Sequence, residues 1–124
     1  MKDAQEYFKP YEDLLGFCPP RVQERVRMGL EIEPELLDLV ERVRNRAMYP
    51  KEFDVKTTQL FVFAILLAQL QPGAQGHAQA AVRAGATKAE LHALVALAYL
   101  FRGMSAFNIG TEIIGKVFES KSLR

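Results

Sequence analysis

Leu60-Phe61-Val62-Phe63-Ala64-Ile65-Leu66-Leu67-Ala68 is an unbroken run of nine apolar residues, and Ala93-Leu94-Val95-Ala96-Leu97-Ala98-Tyr99-Leu100-Phe101 is a second run of nine. A surface helix needs only one apolar stripe, whereas a helix apolar on every side is buried on every side. A membrane span needs about 20 residues, so neither run reads as one. Both read as interior helices of a soluble, all-α protein.

Working outward, helix signals dominate. A first helix is expected over Asp3 to Leu15, strained by Pro10 and ended by Gly16. Pro19 and Pro20 open a second, to about Leu30, with Val22, Val26, Met28 and Leu30 as its apolar face. Pro34 opens a third, to about Met48, whose Leu36, Leu37, Val40, Val43 and Ala47 form an amphipathic stripe. Pro50 stops it. Asp54 is the N-cap of a fourth helix, Val55 to Leu70, that holds the first apolar run. A fifth runs from Gly76 to Arg83, with Gly85 as a C-cap. Thr87 and Glu90 have capping-box spacing for a sixth, to Phe101, that holds the second run. Gly103 breaks it, and a seventh runs from Ser105 to Glu119, leaving Lys121 to Arg124 as a frayed tail. No linker divides the chain, so residues 1–124 read as one seven-helix domain.

Composition excludes other classes. The chain has 124 residues, 49% of them hydrophobic, and a net charge of +1 from 16 basic and 15 acidic side chains. That is too apolar and too neutral for a disordered chain, and it lacks the basic excess of a protein that binds nucleic acid through bulk charge. Cys18 is the single cysteine, which rules out an internal disulfide scaffold and fits a reducing compartment. Met1 to Glu6 shows no charged start followed by an apolar core, so the expected location is the cytoplasm, with no membrane partner.

A domain this small buries only roughly 65–70% of its unfolded surface. Two all-apolar helices are hard to cover with four or five thin amphipathic ones. A subunit interface solves this, because obligate interfaces resemble a core cut in half. The chain is therefore expected to be an obligate homo-oligomer.

Several residues carry chemistry. His77 lies in Gln71-Pro72-Gly73-Ala74-Gln75-Gly76-His77, at a break between apolar helices where glycines allow close approach. Histidine moves protons near neutral pH. A packing or capping histidine is the alternative. Cys18 precedes a helix start, which can activate a thiol, or it is simply a small buried residue. His92 reads as a surface or interface residue. Arg21, Arg25 and Arg27, and Arg42, Arg44 and Arg46, lie among acids at ion-pair spacing and read as solvated faces; one arginine over a substrate carboxylate is the other option. Asn108 and Glu112 share a face of the last helix. No metal-ligand cluster, phosphate loop or Ser-His-Asp set is visible, so neither metal nor cofactor is expected.

The stretch from Phe53 to Asn108 resembles the carboxymuconolactone decarboxylase family, which includes the alkylhydroperoxidase D-like proteins. The resemblance rests on Asp54-Val55-Lys56-Thr57-Thr58-Gln59-Leu60, on His77-Ala78-Gln79-Ala80-Ala81-Val82-Arg83-Ala84-Gly85-Ala86-Thr87-Lys88-Ala89-Glu90-Leu91, and on Tyr99-Leu100-Phe101-Arg102-Gly103-Met104-Ser105-Ala106-Phe107-Asn108. Pro34-Glu35-Leu36-Leu37 looks like the family's upstream helix, so the likeness is strongest over residues 34–108. It implies an all-helical fold that assembles as trimers or hexamers, with active sites near subunit contacts. It also aligns His77 with the family's functional histidine. The peroxidase branch carries a Cys-x-x-Cys pair just ahead of that histidine; here Leu70 to Ala74 holds no cysteine, which argues against dithiol peroxidase chemistry. The family's glutamate near the start of the fourth helix is replaced by Gln59, and the acid that the decarboxylase branch carries before the histidine is missing.

The resulting expectation is a cofactor-free lyase or isomerase-type enzyme acting on a small carboxylated or lactone substrate. His77 is its general acid/base, Gln71, Gln75 and Asn108 hold substrate oxygens, and Arg83 holds a carboxylate. The alternatives are a non-catalytic ligand-binding or scaffold protein and, more weakly, a peroxidase acting through Cys18.

Overall fold

Seven α-helices follow one another in the computed structural model, which describes the backbone of residues 2–122 and the side chains of residues 2–119. They are α1 (Ala4–Leu15), α2 (Pro20–Ile32), α3 (Pro34–Ala47), α4 (Val55–Ala68), α5 (Ala74–Arg83), α6 (Lys88–Arg102) and α7 (Met104–Ser122). Of the expected frayed tail, Lys121 and Ser122 belong to α7, while Leu123 and Arg124 lie outside the described residues.

The boundaries have local causes. Asp3 caps α1, its Oδ1 accepting from the Glu6 N–H at 2.9 Å, and Glu6 accepts in return from the Asp3 N–H at 3.1 Å. Pro10 does not end α1. Pro20 and Pro34 occupy the first positions of α2 and α3, where the missing N–H has no helical partner to lose. Asp54 caps α4 by accepting from the Thr57 N–H at 2.7 Å. Thr87 and Glu90 close a reciprocal capping box at the start of α6. Gly16, Gly85 and Gly103 stand at helix ends with φ of 92°, 107° and 106°, where any other residue would be strained.

The helices fall into two compact units, Met1–Glu52 and Phe53–Arg124. In the first, α1 packs on α2 and α2 on α3. Its interior holds Tyr7, Phe8, Tyr11, Leu14, Leu15, Val26 and Leu37, together with the carboxylate of Glu41, which is 3% exposed. Arg25 donates to Glu41 Oε2 at 2.7 Å and to the Tyr11 hydroxyl at 2.8 Å. Tyr11 donates to the same carboxylate oxygen at 3.2 Å. One ionic cluster, its carboxylate buried and its guanidinium partly exposed, thus joins all three helices of this unit. Glu41, one of the acids among the α3 arginines, is therefore not on the solvated face expected for that group. Within α3 the i, i+4 ion pair runs from Asp38 to Arg42, at 3.1 Å, as their spacing suggests.

The apolar stripe expected for α3 also faces the other way. Leu37 and Glu41 point inward, while Leu36, Val40 and Val43 are exposed. Met28, expected on the buried face of α2, is exposed too.

The second unit has a continuous apolar core. Phe63, Leu67, Leu91 and Val95 are wholly buried, and Ala74, Ala78 and Ala106 fill the narrow spaces between them. α4 packs on α5, α6 and α7, and α7 also packs on α5 and α6. Gly110 lets α7 approach closely: a Cβ there would lie 2.6 Å from Val95 Cγ2 and 2.9 Å from Leu67 Cδ2. Within this unit α4 and α6 are not enclosed on every side. Phe61 and Ile65 on α4, and Leu97, Leu100 and Phe101 on α6, stay exposed.

Candidate functional site

His77 and Gln59 form the centre of the second unit's polar chemistry. Gln59 lies on the turn of α4 after its cap and is wholly buried. α4 then ends in a tight reversal. The Leu70 N–H donates to Leu67 O at 2.8 Å and the Gln71 N–H to Leu66 O at 2.9 Å, the bonding pattern of a Schellman motif. Leu70 holds the left-handed position of that motif with φ of 55°, where glycine is usual. α5 starts three residues later and runs back along α4, which carries His77 to Gln59. The His77 Nδ1 stands 2.6 Å from the Gln59 Oε1 across 18 residues of sequence.

That contact has a chemical reading. The amide oxygen can only accept, so Nδ1 carries the proton and the lone pair of the neutral ring lies on Nε2. Gln59 fixes the ring's orientation without adding charge. A glutamate at this position would put a carboxylate against the imidazole and favour its charged form. His77 itself is half-buried. Next to Gln59, the Thr58 hydroxyl is buried without a hydrogen-bond partner among the described residues.

The start of α6 is tied to the same end of α4. Lys56 Nζ and Glu90 Oε2 lie 2.9 Å apart. The N–H of Thr87, with this lysine, holds the Glu90 carboxyl below the usual range; the Thr57 bonds do the same for Asp54.

The other residues singled out from the sequence are spread along the unit. Gln71 lies in the turn after α4 and Gln75 in the first turn of α5, both exposed. Gln75 is two residues from His77 and so points to another side of α5. Arg83 is exposed in the last turn of α5, and Asn108 is exposed on α7. Tyr99 stacks obliquely on Phe107, with ring centroids 5.4 Å apart. His92 is exposed, its ring centroid 5.9 Å from that of Phe107 in an edge-to-face arrangement, and it lines a groove of about 500 Å³ with Lys88, Thr111 and Ile114. Gln59 is the residue that sequence proximity to His77 did not suggest. The signal available for it was a glutamine facing the inside of an otherwise apolar helix.

In the first unit, Cys18 is buried. Burial pushes its thiol up from the ordinary value, reinforced by the charge of Glu12. It stands one residue before the Pro19 cap of α2, outside the turn whose amide groups would stabilise a thiolate. The lowering expected from the helix start is therefore outweighed. Among the described residues, no group of three or more His, Cys, Asp and Glu side chains gathers as a metal site, and no helix is long and apolar enough to cross a membrane.

No curated protein and no solved structure matches the chain. The model of the carboxymuconolactone decarboxylase family matches residues 34–112, more than half of the sequence, a range that holds both Gln59 and His77. The chain belongs to the carboxymuconolactone decarboxylase family.

Proposed function

We propose that this protein is a cofactor-free, cytoplasmic lyase or isomerase-type enzyme acting on a small carboxylated or lactone substrate, with His77 as its general acid/base. The observation that carries the reading is the 2.6 Å contact between His77 Nδ1 and the buried Gln59 Oε1. Gln59 Oε1 orients the ring by accepting a hydrogen bond from Nδ1–H in both protonation states of the imidazole. In the neutral ring, Nε2 takes an α-proton. In the imidazolium, the Nε2–H gives its proton to the carbon that keeps the electron pair when carbon dioxide departs. Gln71, Gln75 and Asn108 hold substrate oxygens, and Arg83 holds the carboxylate.

All four of these side chains are exposed, so a second copy of the chain completes the walls of the site. The exposed faces of α4 and α6 support that homo-oligomer, a trimer or a hexamer. Light scattering on the purified protein tests it, and a 14.0 kDa species at micromolar concentration overturns it.

The test of the chemistry is a screen of lactones and β-keto acids for carbon dioxide release or isomerisation. His77→Ala is expected to lower turnover at least 100-fold with unchanged mass in solution. Equal activity in the variant rejects the role. The neutral Gln59 in place of the family's glutamate favours a second reading, a non-catalytic ligand-binding member. That reading requires small carboxylates to bind without turnover. Peroxide consumption that disappears in Cys18→Ser would instead support a one-thiol peroxidase.

A further inference from the structure

Four of the described residues have positive φ, each just past a helix end, and three of them are glycines: Gly16, Gly85 and Gly103. The fourth is Leu70, at φ 55°. A residue with a β-carbon is strained there, and such strain persists only where the surroundings hold it in place. At Gly85 and Gly103 a Cβ would meet nothing of its own unit within 4 Å among the described residues. The Leu70 side chain, in contrast, packs against the core that contains Phe63, Leu67 and Ala74. A Schellman turn usually makes its apolar contact through the residue after the left-handed one. Here that residue is the polar Gln71. The contact has moved onto Leu70, the position where a side chain strains the backbone.

The helix that follows needs such a hold. α4 and α6 start at Asp54 and Thr87, whose side chains accept from the first turn. Their first i, i−4 backbone bonds, from Thr58 to Asp54 and from Leu91 to Thr87, are 3.0 and 3.1 Å long. α5 starts at Gly73 with no side-chain cap. Its first such bond, from the His77 N–H to Gly73 O, is 3.4 Å long, and the Gln75 N–H reaches Pro72 O at 3.4 Å. Gly76 weakens the same turn further, because glycine is a poor helix former. Ala74 is wholly buried but offers only a methyl group. His77 thus sits in a first turn that its own backbone secures weakly. The 2.6 Å contact with Gln59 nevertheless needs that turn held to within about 0.5 Å.

We propose that Leu70 is a positioning residue for His77: its side chain, gripped by the core, fixes the turn from which α5 starts and so sets the imidazole against Gln59. A glycine would relax the backbone and release the turn. Any effect of Leu70 on turnover rests on the acid/base reading of His77, whereas its effect on the ring is read without substrate.

The test uses the full chain, labelled with 15N and free of ligand. A proton held between Nδ1 and Oε1 gives a downfield imidazole N–H signal protected from exchange with water, and His77→Ala and Gln59→Leu identify it by its loss. Leu70→Ala keeps the left-handed strain and removes the grip, while Leu70→Gly removes both. In both variants the signal is expected to exchange about tenfold faster or to vanish. Leu70→Met returns the apolar volume and restores it. A side chain that only stabilised the fold would lower the melting temperature and leave this signal alone while the chain is folded. Leu70→Gly relieves the strain and keeps a folded variant in the series. A signal unchanged in both variants, or lost in Leu70→Ala and kept in Leu70→Gly, overturns the positioning role.

With a substrate from the lactone and β-keto acid screen, kcat of Leu70→Gly is expected to fall about tenfold with KM unchanged. If the signal is lost and kcat is not, Leu70 positions His77 and the acid/base reading fails. If His77→Ala loses turnover while the Leu70 variants keep both signal and rate, the acid/base reading stands and the positioning role fails.

Discussion

Helices α4 to α7 are held by an apolar interior, whereas α1 to α3 add to their apolar side chains an ionic cluster around the buried Glu41. In the second unit Phe63, Leu67, Leu91 and Val95 are wholly buried among alanines, so that stability there comes from removing hydrocarbon from water. In the first unit Glu41 lies inside with Arg25 and Tyr11 as its hydrogen-bond partners, while leucines and valines of the same helix face solvent. An ionic centre gives geometry more than net stability, because desolvating the charges offsets most of their attraction. An apolar core tolerates pH but not added volume. The first unit should therefore fail by charge, and the second by crowding.

The largest expected effect is on the ionic side. Arg25→Met keeps the aliphatic stem and removes the guanidinium, leaving a carboxylate that is 3% exposed without its cation. The expected loss is about 3 kcal/mol, confined to α1–α3 and read by native-state hydrogen exchange. Adding Glu41→Leu and Tyr11→Phe converts the cluster into an apolar layer like that of the second unit. Most of the loss should then be recovered, since replacing a whole buried pair by hydrocarbon is often neutral or stabilising. A loss under about 1 kcal/mol in Arg25→Met would mean that the apolar side chains, and not the cluster, hold this unit too.

Gly110→Ala is the counterpart on the apolar side. The added methyl would overlap Val95 Cγ2 at 2.6 Å and Cγ1 at 2.8 Å. A loss of about 1–3 kcal/mol is expected, even though alanine is the better helix former by about 1 kcal/mol. The paired variant Val95→Ala/Gly110→Ala should lose less than the sum of the two singles, because one change makes the room that the other needs. Additive losses in chemical denaturation would show that α7 can shift away from α6 at little cost.

Element by element, the fold was legible because each boundary is local. Asp54, the Thr87–Glu90 box and Gly85 act within four residues of themselves, and all of them sit at helix ends as their spacing predicts. Burial was legible only where a helix is apolar enough for its inward face to be beyond doubt, as at Phe63 and Leu67. On α3 the three- and four-residue spacing identifies a stripe but carries no information about what covers it. The inward side was decided instead by Tyr11 and Arg25, residues 30 and 16 positions away from Glu41. The same limit applies to the candidate site. His77 stood out by type and by its neighbouring glycines, while its partner Gln59 lies 18 residues upstream and comes close only because α5 folds back along α4. Gln71 and Gln75 were singled out by nearness in sequence, which on a helix and its preceding turn does not mean a shared face.

The smallest effect separates the two units by the direction of pH. In the first unit, burial pushes the hydroxyls of Tyr7 and Tyr11 and the thiol of Cys18 above their ordinary values, helped by Asp38, Glu41 and Glu12 respectively. A raised value means that the folded state holds its proton more firmly than the unfolded one. The associated stability is complete below the ordinary values of 9.0 for the thiol and 10.0 for the phenols and is lost as pH rises through the folded values. In the second unit Asp54 and Glu90 are lowered, Asp54 by its bonds with Thr57 and Glu90 by the Thr87 N–H and then Lys56. Their contribution is present above the ordinary carboxylate range and disappears as pH falls through the folded values. Raising the pH above 10 should therefore speed amide exchange first in α1–α3, and lowering it below about 4 should do so first at the starts of α4 and α6. Asp54→Asn and Glu90→Gln should abolish the acid response of the second unit and leave the alkaline response of the first unchanged. If both units responded to acid alone, the buried phenols and thiol would carry no share of the first unit's stability, and the contrast between an ionic and an apolar interior would rest on Arg25 and Glu41 alone.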